Sequence, residues 1–229
     1  MSYCAMDLNR LKEDLPIELL SRSIPSISST ELEIALIRQE NCPIFKLQKE
    51  IQNEIFQMMD MKTFYALSGT CKLLYHSDDS RTEKLKCLEL LKKNQIVCNV
   101  ISALRTHYDH KPLLSSSDLE QTIKNGRGWR ICYSYFNNLF QYFLHLQLTY
   151  GKFLYDYYPQ DNKEVECKEG HTVLVFVEDP SCWWTGWVIP EEIEAHSFES
   201  ATSIRVGYFP MNWMDSPFQK STMQDVINK

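Results

Sequence analysis

The stretch that most constrains this chain is residues 153–214. It opens F-L-Y-D-Y-Y-P-Q-D-N-K-E-V-E-C-K-E-G, continues through V-L-V-F-V-E-D-P-S-C-W-W-T-G-W and closes V-G-Y-F-P-M-N-W-M. From His171 to Val177 the residues are β-branched and aromatic with little alternation, the composition of a strand buried on both faces. Asp179-Pro180-Ser181 is a turn signal, and a strand resumes from Trp183 to Val188 with Gly186 inside it. Short strands with turns between them predict a small barrel or sandwich. Four of the five tryptophans (Trp183, Trp184, Trp187, Trp213) fall here. So small a core cannot hide that many large rings, so some are expected at an exposed binding surface.

Four motifs in this stretch resemble the Src-homology-3 (SH3) domain. Phe153-Leu154-Tyr155-Asp156-Tyr157 is similar to its A-L-Y-D-Y opening, and Lys168-Glu169-Gly170 to its K-x-G diverging turn. Trp183-Trp184 falls where the family has its W-W pair, without a gap from Tyr155 onward, and Gly207-Tyr208-Phe209-Pro210-Met211-Asn212-Trp213 is similar to the G-Y-x-P-x-N-Y close. Trp213 stands in place of the usual closing Tyr, and residues 189–204 read as a polar, acidic insertion between the last two long strands. The resemblance implies docking of proline-rich segments, which are already extended as polyproline II and lose little entropy on binding. By position it implies two proline grooves from Tyr155, Tyr157, Pro210, Asn212 and Trp213. It implies a third pocket walled by Trp183 beside Asp161, Glu164 and Glu166, which would pair with a flanking Arg or Lys.

Charge agrees with a basic ligand. Residues 153–214 hold three Lys and Arg against eleven Asp and Glu, a net of −8, where the whole chain carries −6. The remainder is therefore slightly basic, about +2, and the acidity is confined to the stretch with the aromatic motifs. Net acidity without a basic stripe argues against nucleic acid. No apolar run reaches membrane-spanning length, and the first residues lack the basic-then-apolar pattern of a secretory leader. Eight cysteines without a C-x-x-C, mostly in apolar runs, read as free buried thiols of a reducing compartment. The expected location is cytoplasmic, with the nucleus or a host cytosol (for a secreted effector) as the other settings.

The first 150 residues read as helical. Asp14 is expected to cap a helix from Leu15, and Ser29 or Thr30 another over Glu31–Arg38. In residues 44–76, Leu47, Ile51, Ile55 and Met58/Met59 recur at helical spacing, followed by Phe64, Leu67, Cys71 and Leu74 after a break near Asp60-Met61-Lys62. Periodicity alone gives a core-facing helical hairpin. By order and residue type the segment resembles an F-box, matching at Leu47, Glu50, Ile51, Ile55, Phe56, Phe64, Leu67, Ser68, Cys71 and Lys72, with Gln48 in place of its Pro and Leu74 in place of its Trp. That resemblance implies docking, chiefly through Leu47, Ile51, Ile55, Phe56, Phe64, Leu67 and Cys71, on the Skp adaptor subunit of a cullin–RING ubiquitin ligase. A second window, Leu15-Pro16-Ile17-Glu18-Leu19-Leu20 through Leu32, resembles the same opening and keeps the Pro but not the Ser-x-x-Cys-Lys ending.

Further on, Glu83–Leu104 is periodic, Asp118 is expected to cap the next helix, and Trp129–Tyr150 is apolar almost all round and predicts a buried helix. Gly151-Lys152 is then the hinge into the aromatic stretch. His107-Tyr108-Asp109-His110 reads as loop polar residues rather than a metal site, for want of a fourth ligand nearby. No P-loop, G-x-G-x-x-G or G-x-S-x-G occurs. The expected architecture is α+β and multi-domain. An α-helical domain over 1–150 carries the F-box-like helices, a small SH3-like β-barrel spans 151–215, and a tail covers 216–229. The expected function is a non-catalytic adaptor without cofactor or metal, holding a proline-rich client with basic flanks for a ubiquitin ligase. The alternatives are an SH3 signalling scaffold, in a eukaryotic regulator or a bacterial effector, without a ligase link, and an enzyme with an unrecognised helical active site.

Overall fold

The computed structural model describes residues 6–15, 47–60, 63, 81–123, 126–189 and 204–228. The fold is α+β, with a five-stranded antiparallel sheet and several helices. Two compact units share the chain: one comprises 1–14, 94–114 and 137–229, the other 15–93 and 115–136. No helix among the described residues is long and apolar enough to cross a membrane.

In the second unit, helix α2 (Lys49–Met58; α1, Leu8–Lys12, belongs to the other unit) turns Gln52 and Phe56 inward, while Leu47, Ile51 and Met58 are exposed. Helix α3 (Arg81–Lys93) contributes Glu83, buried and bonded to Arg130 at 2.9 Å, and Lys86, which donates to the Met59 carbonyl. Helix α5 (Ser116–Thr122) is capped by Ser115 rather than by Asp118. Asp118 sits at the third helical position and returns a bond to the Ser115 N–H, the reciprocal pair of a capping box.

In the first unit, helix α1 (Leu8–Lys12) is capped by Asp7. Helix α4 (Gln95–His107) begins after Asn94, whose φ of −111° and ψ of 29° break the long helix expected over 83–104. Arg105, 3% exposed, holds this unit's irregular segments together. It donates to the carbonyls of Leu11 at 2.5 Å, Glu13 at 3.1 Å and Lys111 at 2.5 Å, and to the Asp14 carboxylate. Asp14 therefore meets Arg105; the helix it was expected to cap lies outside the described residues.

Helix α6 (Gly126–His145) stops five residues before the expected end at Tyr150, and strand β1 (Gln147–Lys152) takes over. The strand wins because both of its edges find partners: Thr149 pairs with Val175 on one side and with Lys220 on the other. Gly151 and Lys152 are thus strand residues, paired with Val173 and Thr172, not a hinge. Strands β2 (Thr172–Val177), β3 (Trp183–Ile189), β4 (Arg205–Pro210) and β5 (Gln219–Thr222) complete the order β4-β3-β2-β1-β5. The final stretch, expected as a tail, supplies β5 and a short capped helix α7 (Met223–Ile227). The insertion expected at 189–204 lies, apart from Ile189 and Ile204, outside the described residues.

Strand β2 is buried on both faces, as its composition predicts. On one side Val173 and Val175 pack with Phe153, Trp184, Val188 and Phe209. On the other, Phe176 meets Phe143 of α6 with ring centroids 6.4 Å apart, and the Tyr108 hydroxyl donates to Thr185 Oγ1 at 3.0 Å. The sheet therefore has an inner core and a second, helix-covered core.

Candidate functional site

The site is built on the excursion between Tyr157 and Cys167. These two residues exchange backbone bonds of 2.8 and 3.1 Å, so residues 158–166 form a loop closed at its base. Gly170, at φ 86°, turns the chain from this loop into β2. The loop tip is pinned to β4: Tyr208 N–H donates to the Lys163 carbonyl and Val165 N–H to the Tyr208 carbonyl, both at 2.9 Å. Gly207 permits this approach, since a Cβ there would stand 2.8 Å from the Lys163 carbonyl oxygen.

Along the sheet's edge the aromatic rings form one path. Tyr155 and Trp213 have centroids 6.1 Å apart, Trp213 and Tyr157 5.4 Å, and Tyr157 and Trp183 6.1 Å, all edge-on. Tyr155 is 61% exposed and Trp183 38%, whereas Tyr157 is largely covered by its neighbours. A short 3₁₀ turn, Met211–Trp213, follows Pro210 and carries the exposed Asn212 and half-buried Trp213 into this row. Trp183 sits on the strand beside Pro210, its Cα partner in β4.

Beyond Trp183 the path opens into a cleft of about 400 Å³ lined by Asp161, Lys163, Glu164, Asp179, Ser181, Trp183 and Tyr208. The structure thus brings Asp161, Glu164 and Trp183 together, while Glu166 does not line the cleft. Asp179 and Ser181 are functional candidates that sequence reasoning read only as a turn. Their signal was the loop's placement between β2 and the W-W pair. Asp179 accepts from the Ser181 N–H at 2.8 Å, and the bonds from Ser181 hold its carboxyl below the usual range.

Glu164 is engaged from within. It accepts from the Tyr157 hydroxyl and from the Gln160 N–H at 2.6 Å, and these bonds, the hydroxyl's first, lower its carboxyl from the usual range. Burial, and then the bond to Glu164, push the Tyr157 hydroxyl up to about 12. Both remain in their ordinary charge states at neutral pH. Whatever the lowered Glu164 contributes to stability is present above its unfolded value and lost as pH falls through its folded one. Lys163 is paired to Asp109 at 2.8 Å, which raises the lysine and lowers the aspartate.

In the second unit, Leu47 and Ile51 of the candidate docking set are exposed at 39% and 42%, and Ile55 is half-buried. Phe56, at 4%, is turned inward, so it is not part of that exposed face. Phe64, Leu67 and Cys71 lie outside the described residues, as does the second window at 15–32 apart from Leu15.

Cys87, Cys132 and Cys167 are buried, and burial pushes their thiols up, to about 12 in Cys87 and Cys132. Cys182 is exposed. Among the described residues no group of three His, Cys, Asp or Glu is placed to hold a metal ion. No protein-family model matches the chain, and no curated protein matches it.

Proposed function

We propose that this chain is a non-catalytic adaptor whose aromatic row and acidic cleft capture an extended proline-rich segment flanked by Arg or Lys, in the manner of the SH3 domain that residues 153–214 resemble. The observation that carries the reading is the unbroken sequence of rings Tyr155, Trp213, Tyr157 and Trp183 ending at three carboxylates. Flat faces separated by shallow grooves suit the ridges of a polyproline II helix. Asp161, Glu164 and Asp179 complement a guanidinium, and Asn212 is exposed to bond a peptide carbonyl. Titration of the full chain with an arginine-flanked proline-rich peptide tests this. Saturable binding that disappears when the prolines become alanines is the expected result, and equal binding of both peptides overturns it.

The helical part is proposed to dock the Skp adaptor subunit of a cullin–RING ubiquitin ligase, making the cleft a client receptor. This rests on the F-box resemblance and on α2, which presents Ile51 and Met58 outward, with the exposed Leu47 just before its start, while the polar Gln52 is buried. An apolar face turned outward at helical spacing fits a helix-in-groove partner. Leu47→Asp with Ile51→Asp, both at exposed positions, is expected to abolish co-purification with the adaptor and leave the helical spectrum unchanged. Absence of wild-type co-purification leaves the alternative, a scaffold that acts through the cleft alone.

A further inference from the structure

The turn that closes α4 is fastened at three successive residues to the sheet and loop of the same compact unit, two of them through residues that line the cleft. His107 lays its ring against Tyr208, centroid to centroid 4.4 Å. The Tyr108 hydroxyl bonds Thr185 on β3, and Asp109 accepts from Lys163 Nζ at 2.8 Å. The position of Asp109 is fixed by its backbone. It adopts φ 59°, its N–H donates to the Thr106 carbonyl at 3.0 Å, and the next N–H, of His110, donates to the Arg105 carbonyl at 2.7 Å.

Among the described residues lining the cleft, Lys163 is the one cation, and Asp161 and Glu164 flank it in the loop. Without a counter-ion, its flexible ammonium would be drawn to Asp161 or Asp179. There it would occupy the place that a ligand's arginine is to take. We infer that Asp109, 54 residues before Lys163 and outside the sheet, is a specificity-determining residue of the cleft. It holds the Lys163 ammonium toward the helix, so that Asp161, Glu164 and Asp179 remain open to a basic residue of the ligand. This rests on the peptide-binding reading and adds to it a carboxylate supplied by the helical part of the unit.

The two partners are well exposed, Lys163 at 45% and Asp109 at 78% of the side chain. Such a pair adds little to stability, so its removal acts on ligand choice rather than on the fold. Asparagine also tolerates the left-handed backbone at this position, which makes Asp109→Asn a clean substitution.

The test uses the full chain, its Asp109→Asn, Lys163→Met and double variants, and two proline-rich peptides, one flanked by arginine and one by glutamine. At low salt, Asp109→Asn is expected to weaken the arginine-flanked peptide by roughly fivefold, and Lys163→Met to tighten it by a similar factor. The double variant should behave like Lys163→Met, and the glutamine-flanked peptide should not respond to Asp109→Asn. The inference is overturned if Asp109→Asn leaves the arginine-flanked affinity unchanged, if it weakens both peptides equally, or if the double variant stays as weak as the single. Wild-type protein that binds neither peptide overturns the peptide-binding reading, and this inference with it. Wild-type binding that is indifferent to Asp109→Asn overturns the inference alone.

Discussion

Trp183→Ala is expected to abolish capture of the proline-rich peptide while leaving the sheet folded. The ring is 38% exposed and meets Tyr157 edge-on, at the junction between the aromatic row and the acidic cleft. Its loss opens the wall shared by a proline groove and the carboxylates, so both halves of the recognition fail together. Central aromatic anchors of this kind are worth at least about 2 kcal/mol of binding, or roughly thirtyfold in affinity. The strand itself survives, because Trp183 pairs with Pro210 through the backbone and the neighbouring side chains supply the core. Trp184 is the internal contrast. It is 7% exposed, belongs to the inner core and packs on Phe218 with centroids 5.0 Å apart. Trp184→Ala is therefore expected to destabilise by about 3–5 kcal/mol. Calorimetric titration and circular dichroism on the two variants separate the cases. Wild-type affinity in Trp183→Ala would remove that ring from the site, and loss of the sheet would assign it to the core.

Arg105→Met should cost about 3 kcal/mol of stability in the unit that carries the sheet. The guanidinium is buried and satisfies three backbone carbonyls as well as Asp14, so truncation leaves those acceptors without their donor. Methionine retains most of the stem's packing, and the loss therefore reports on the hydrogen bonds. Asp14→Asn is expected to cost less than about 1 kcal/mol, since Asp14 is 72% exposed and the carbonyl bonds remain. Urea denaturation of both variants measures the difference. Equal losses in the two would show that the surface ion pair, rather than the carbonyl bonds, is what Arg105 supplies.

The strands β2 and β3 were legible because their signals are local, β-branched and aromatic runs separated by a turn, whereas the turn at Gly170 and the grouping of Tyr155, Tyr157, Trp183 and Trp213 were expected only from the resemblance to the SH3 domain. What the sequence hid was non-local. Gln147–Tyr150 continues an apolar pattern that reads as helix and Gly151-Lys152 reads as a hinge, and only pairing with β2 and β5 makes the segment a strand. Some of the rings were expected at the surface, and Trp183 and Tyr155 are exposed, while Trp184 and Trp187 are buried. Trp184 belongs to the inner core, and Trp187, absent from that cluster, is buried elsewhere on the sheet, which has a second, helix-covered face. The His107–His110 turn reads from sequence as loop polar residues. Its attachment to Tyr208, Thr185 and Lys163 depends on segments far away in the chain. Asp179 was concealed for the same reason, since a turn signal does not say which cleft the turn borders.

The most direct test of the central claim is the peptide titration followed through the indole N–H resonances of the five tryptophans. Trp183 and Trp213 border the proposed grooves, while Trp129, Trp184 and Trp187 are buried at 4%, 7% and 0% exposure. The account predicts that the arginine-flanked proline-rich peptide shifts the Trp183 and Trp213 signals in a saturable manner and leaves the three buried indoles in place. Binding that moves the buried indoles while Trp183 and Trp213 stay fixed, or no shift at any concentration, would contradict it.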